Sequence, residues 1–216
     1  MKKFILFAIL GGGLALSSCE RHYVEPYPPV ENTYTFVDEF VDNRNGWAFA
    51  DQVEDAYGVV TGNGTFAFSY LDPYGIAYYR SKDIRFNPDK NFVLQTRIGS
   101  DNNMGLLFGF DDRTGAYGYS FTVDYDGYVA LWDEGGNGNG NQDIVAVVEP
   151  FRHNAVNRNG NWNDLVLEQV GNNWIGYVND VKVFTVRAQY LAKGSVGFVV
   201  VGNTRGEADY IQADFY

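Results

Sequence analysis

Beyond residue 33, apolar and polar residues alternate along almost every segment, with Gly, Asn and Asp between segments. The runs that read at period two are 34–40, 58–70, 92–98, 104–110, 117–123, 128–132, 164–170, 174–178, 181–186, 195–201 and 210–216. Successive side chains of a strand point to opposite faces, so each run offers one apolar face. Short strands separated by turn signals predict an all-β sandwich or barrel. An apolar sheet face must be buried against a second layer, which leads to two packed β layers. Only 187–193 has the look of a helical turn.

Local detail sharpens this pattern. In NNWIGYVNDVKVFTV, Asn179 and Asp180 stand between two β-rich runs, and both residue types tolerate the positive φ of a two-residue hairpin turn. Just before it, NDLVLEQVGN places Leu165 and Leu167 on one face and Val166, Glu168 and Val170 on the other. The stretch GYSFTVDYDGYVALWDEGG, residues 118–136, reads first as another hairpin, because Asp126-Gly127 is a strong turn signal. The run GGNGNGNQ, residues 135–142, has nothing to bury and reads as a loop.

The N-terminus breaks the pattern. MKKFILFAILGGGLALSSCE sets two lysines before an apolar run from 4 to 16 and ends in the single cysteine, which is the layout of a secretory signal. That run is shorter than the about 20 residues of a membrane-spanning helix. Leu16, Ser17, Ser18 and Cys19 resemble the lipobox of bacterial lipoproteins. The resemblance implies cleavage before Cys19, a lipid on its thiol and an outer-membrane lipoprotein facing the periplasm or the cell surface. The expected organisation is a signal over 1–18, lipidated Cys19 with a spacer over 19–33 holding three of the six prolines, and one β domain over 34–216. A polyproline-like spacer extends about 3 Å per residue, so the domain stays close to its membrane.

Charge removes one class of partner. Losing Lys2 and Lys3 with the signal takes two of the 16 basic residues, leaving 14 against 27 acidic, and moves the net charge from −11 to −13. Such a surface repels nucleic-acid phosphates. With Cys19 in the anchor, the β domain has neither a disulfide nor thiol chemistry.

Several blocks in order, YTFVDEFVDNRNGW, FVLQTRIGSDNNMGLLFGFDD, YGYSFTVDYDGYVALW, NWNDLVLEQVGNNWIGYVNDVKVFTV, GSVGFVVVG and ADFY, resemble the concanavalin A-like lectin/glucanase superfamily, and most its laminin-G-like and uncharacterised lipoprotein branches of Bacteroidota type. The resemblance implies a two-sheet antiparallel jelly roll with a concave face and with the first and last strands close together. It also implies a glycan as the partner, and a structural calcium at the rim of the sandwich is a feature of the superfamily.

The residues themselves leave the chemistry open. A glycosidase needs two carboxyl groups about 5 to 9.5 Å apart. The Glu-x-Asp-x-x-Glu pattern of the superfamily's glucanases is absent. Asp124 and Asp126 fall at a turn; Asp38, Glu39, Asp42, Asp133 and Glu134 are further acidic candidates. The only histidines are His22 and His153, so a Ser-His-Asp site would rest on His153 alone. Calcium suits the Asp- and Asn-rich loops, whose oxygens are hard ligands, although Asp124-Tyr125-Asp126-Gly127 is not an EF-hand loop. The aromatic content of 17% exceeds what a core of this size requires, and rings with polar neighbours suit sugars. Val129 and Leu131 alternate with Tyr128, Ala130 and Trp132, so Tyr128 and Trp132 beside Asp133 form the expected ligand platform. Tyr78 and Tyr119 are its companions, with Tyr117 and Trp47. The expectation is a lipid-anchored, non-catalytic carbohydrate-binding jelly roll. The alternatives are a glycoside hydrolase with a non-standard site and a subunit that binds another envelope protein.

Overall fold

In the computed structural model the described residues are 34–52, 55–81, 84, 90–110, 118–135, 144–191 and 194–216. Cys19, the signal, the spacer, Tyr117 and most of the glycine-asparagine run lie outside them. The strands are β1 (Tyr34–Asp38), β2 (Phe49–Asp51), β3 (Ala56–Thr61), β4 (Thr65–Tyr70), β5 (Ile76–Arg80), β6 (Phe92–Ser100), β7 (Asn103–Phe110) and β8 (Tyr119–Asp124). They continue with β9 (Tyr128–Asp133), β10 (Val145–Arg152), β11 (Asn163–Val170), β12 (Asn173–Val178), β13 (Val181–Arg187), β14 (Ser195–Val201) and β15 (Thr204–Phe215). Among the described residues there is no helix; β13 runs to Arg187 and residues 188–191 are irregular, so the helical turn expected at 187–193 is not seen.

Two antiparallel sheets make an all-β jelly-roll sandwich. The larger, sheet A, has the order β13-β12-β11-β6-β15-β4-β3-β2, with β1 on the same side of β15 as β4. Sheet B has the order β10-β9-β8-β7-β14-β5. First and last strands are therefore neighbours, paired from Tyr34 with Phe215 to Asp38 with Ile211.

The alternation is realised in burial. Leu165 and Leu167 on β11 are fully buried between the sheets, as are Leu94, Phe108, Phe121, Leu131 and Phe198. One end of the core is almost wholly aromatic: Phe40, Trp47, Phe66 and Phe198 meet with ring centroids 5.4 to 6.2 Å apart. Asp38 pins this end, accepting hydrogen bonds from Phe40 N (2.8 Å), Asn45 Nδ2 (2.6 Å) and Trp47 Nε1 (2.7 Å). The surplus of rings is thus largely core, and Trp47 is part of that core.

The turns follow their residue chemistry. Asn179 and Asp180 take φ of 49° and 64° between β12 and β13. At the β8–β9 turn, Asp124 Oδ1 accepts from Asp126 N (2.9 Å) and Tyr128 N (2.8 Å), and Gly127 has φ of 93°. The run 58–70 is two strands joined through Thr61-Gly62-Asn63-Gly64-Thr65.

Candidate functional site

The outward face of sheet B is built from the residues that alternate with its core positions. Val129 and Leu131 of β9 are in the core, so Tyr128, Ala130 and Trp132 face outward. The same phase turns out Ser120 and Thr122 on β8, Gly105 and Leu107 on β7, Gly197 and Val199 on β14, and Tyr78 and Arg80 on β5. The pairings align them across the sheet. Trp132, Ser120, Leu107, Gly197 and Arg80 form one row; Ala130, Thr122, Gly105, Val199 and Tyr78 form the next.

Glu134 continues the outward phase one step past β9. Its N–H donates to Gly118 O (3.0 Å), and its side chain is only 3% exposed. One carboxylate oxygen accepts from Ser120 Oγ, and the other accepts from the Tyr78 hydroxyl at 2.7 Å. Burial pushes the Glu134 pKa up; the bonds from Ser120 and Tyr78 pull against that rise, and the charge of Asp133 adds to it.

The contact between Glu134 and Tyr78 also reveals the shape of the sheet. β5 and β9 are four strand spacings apart, about 19 Å in a flat sheet at ~4.8 Å per spacing. Two side chains laid end to end fall short of that span, so sheet B curls toward this face, making it concave. Side chains on the inside of a curl crowd the neighbouring strand. Accordingly a Cβ at Gly105 would lie 2.3 Å from Phe121 O, and one at Gly197 2.0 Å from Tyr79 O. The floor beneath is apolar and covered: Leu107 and Val199 face outward yet are fully buried.

Trp132 stands beside this assembly, half-buried, with Nε1 3.3 Å from Thr122 Oγ1. Tyr128 is 40% exposed at the hairpin end of the same face. Arg80 lies over the Phe110 ring, 5.4 Å from its centroid, and Phe110 tilts against Tyr78 at 6.1 Å.

Two expected members lie elsewhere. Tyr119 is buried in the core, 4.9 Å from the Trp174 ring and 5.7 Å from Phe108, with its hydroxyl donating to Tyr190 O at 3.1 Å. Burial there pushes its pKa up to about 12, with Asp133 adding to the rise. Asp133 pairs with Tyr119 and accepts from Gly135 N at 3.0 Å, the short loop of an Asx turn. The reason is period two itself: residue 133 follows Trp132, so the strand turns it to the opposite face. Glu134, two positions on from Trp132, is the acidic residue the alternation delivers to this face.

Two described acidic groups in the outward phase of β8 and β9 are Glu134, bonded at Ser120, and Asp124, at the far end of β8; Glu149 lies on the neighbouring edge strand β10. Four residues of strand separate Ser120 from Asp124, about 13 Å at ~3.3 Å per residue, which is wider than the about 5 to 9.5 Å of glycosidase pairs. Asp42 is held by Arg44, whose side-chain hydrogen bond lowers its pKa to about 2. Asp38 accepts N–H donors on both carboxylate oxygens, while Asp124 accepts two N–H groups through Oδ1. A carboxylate surrounded by donors does not fit a cation, and no group of three or more His, Cys, Asp or Glu is gathered for a metal among the described residues. His153 accepts from Ala155 N through Nδ1 at 3.1 Å, a loop role.

No protein-family model and no curated protein matches the sequence. Among solved structures the chain is similar to a β-1,3-1,4-glucanase (lichenase) derived from a mouse hindgut metagenome, with a TM-score of 0.54 at 13% identity over 83% of this chain and 98% of that one. It is similar to a glycosidic hydrolase, with a TM-score of 0.52 at 16% identity over 84% and 95%, and to a β-glucanase of Bacillus licheniformis, with a TM-score of 0.50 at 12% identity over 83% and 97%. At these identities the likeness is one of fold.

Proposed function

We propose that the protein is a lipid-anchored, non-catalytic carbohydrate-binding module whose concave face on sheet B takes up a glycan. The observation that supports this most is the presence, on one curled face, of Trp132, Tyr128 and Tyr78 with hydroxyl and carboxylate partners fixed among them. Flat apolar rings stack on sugar faces, and the polar groups between them meet sugar hydroxyls. The non-catalytic part of the reading rests on the lack of the Glu-x-Asp-x-x-Glu pattern in the sequence. One solved structure of the same fold is named a β-1,3-1,4-glucanase and another a β-glucanase, which makes β-glucans the first ligands to try.

Affinity electrophoresis through gels containing β-1,3-1,4-glucan, laminarin or mucin tests it. Wild type is expected to be retarded by at least one, with retardation lost in Trp132→Ala; no retardation in any gel would sink the reading.

Anchoring rests on Leu16 to Cys19. Lipid chains buried at about 0.8 kcal/mol per CH₂ would hold the protein on the outer membrane, facing periplasm or exterior. Cys19→Ser should move the protein from the membrane fraction to the soluble fraction and abolish labelling by a palmitate analogue. Unchanged fractionation would refute the anchor.

A further inference from the structure

We propose that Glu134 is the positioning residue of the concave face: it holds Tyr78 across the floor of sheet B and so fixes the ring surface that a sugar chain meets next to Trp132. The proposal deepens the glycan-binding reading and rests on it for the ligand. The strut itself is formed by residues of this chain and needs no ligand.

Three segments distant in sequence meet in it. Tyr78 comes from β5, an edge strand, and Glu134 from the end of β9, 56 residues later. Ser120 of β8 takes the second carboxylate oxygen. A tyrosine on an edge strand has a solvent-facing rotamer open to it. Here its hydroxyl is instead drawn inward over Val199, Gly105 and Leu107, the small and apolar floor of the sheet. Because both carboxylate oxygens are engaged, the glutamate cannot swing away without losing two hydrogen bonds. A ring held in its bound position before the ligand arrives loses less entropy on binding.

The strut depends on charge. Both of its partners donate, so the ionised carboxylate satisfies them best. The groups facing Glu134 are Ser120 from β8 and Tyr78 from β5, with the Asp133 carboxylate from its own strand; Arg80 of β5 is stacked on Phe110. Protonating Glu134 replaces an acceptor with a donor and loosens Tyr78.

The test has two arms. In the first, binding to whichever gel polysaccharide retards wild type is measured for Tyr78→Phe, Glu134→Ala and Glu134→Gln from pH 4 to 8. The expected result is about tenfold weaker binding for Tyr78→Phe and Glu134→Ala. Glu134→Gln, which like the protonated acid keeps only one acceptor, should bind at neutral pH about as weakly as wild type does in acid, and its binding should not change with pH. Wild-type affinity in Tyr78→Phe or Glu134→Ala would overturn the proposal. The second arm needs no glycan: the Glu134 carboxyl is titrated by carbon NMR in wild type and in Tyr78→Phe. Losing a donor that favours the ionised form should move the midpoint upward; an unchanged midpoint would show that the strut does not exist in solution. If no polysaccharide retards wild type, the glycan reading fails, while this second arm still decides the strut.

Discussion

Among the described residues, the outer faces of the two sheets each bury one glutamate, and the two are bonded in different ways. On sheet A, Glu168 of β11 is 6% exposed, and its hydrogen-bond partner is Tyr177 on the adjacent strand β12. On sheet B, Glu134 is 3% exposed and reaches a tyrosine four strands away. The first pair is a local cross-strand contact of the kind that any sheet supports. The second requires a curled sheet, two glycines in the floor and three separate segments brought together. A buried glutamate is therefore not by itself a sign of a site; the span of its bonds distinguishes the two faces.

The difference can be broken by substitution. The largest effect is expected from the core common to both faces: Trp174, fully buried against Phe108 and Tyr119, should cost about 3–5 kcal/mol as alanine. Trp132→Ala, half-buried on the outward face of sheet B, should cost much less in the same denaturant titration. Equal losses would mean that Trp132 is structural.

Next come the two carboxyl groups. Burial raises both in pKa, with hydrogen bonds from their partners opposing. A folded pKa above the unfolded value means that the charged form is penalised in the fold. The penalty is absent below the ordinary glutamate range near about 4.3 and fully present above the folded pKa. Stability should thus rise as pH falls from neutral through each titration. Glu134→Gln and Glu168→Gln should melt at or above wild type at pH 7, and the advantage should vanish toward pH 4, with Glu134 showing the larger change because it is the more deeply buried. A Glu134→Gln protein that melts well below wild type at pH 7 would show that the ionised strut dominates the desolvation cost.

The smallest effect is expected from Tyr177→Phe, which removes one hydrogen bond worth about 0.5–1.5 kcal/mol and should leave polysaccharide retardation unchanged. Loss of retardation there would move the binding face to sheet A.

Much of the fold was legible because period two is a local property. The faces of β9 and β11, the Asn179-Asp180 turn and the Asp126-Gly127 turn all follow from neighbours in sequence. What escaped had broken alternation. β5 carries consecutive tyrosines at 78 and 79, and β10 is interrupted by Pro150 and by two register shifts. β2 is three residues long. In β15 the bulge between Ala208 and Tyr210 shifts the phase, so that Ala208 and then Ile211 point inward, and only the half after the bulge reads as a strand. The site was legible in part: alternation put Tyr128 and Trp132 together, and the same rule, carried two residues further, reaches Glu134. Grouping Asp133 and Tyr119 with Trp132 ignored that rule. The contact with Tyr78 spans 56 residues and has no local signature.

The most direct measurement is affinity electrophoresis of wild type beside Trp132→Ala in the panel of β-1,3-1,4-glucan, laminarin and mucin gels. The account predicts that at least one polysaccharide retards wild type and that the variant, still folded at the temperature of the gel, runs free. Wild type unretarded in every gel, or both proteins retarded alike, would contradict it.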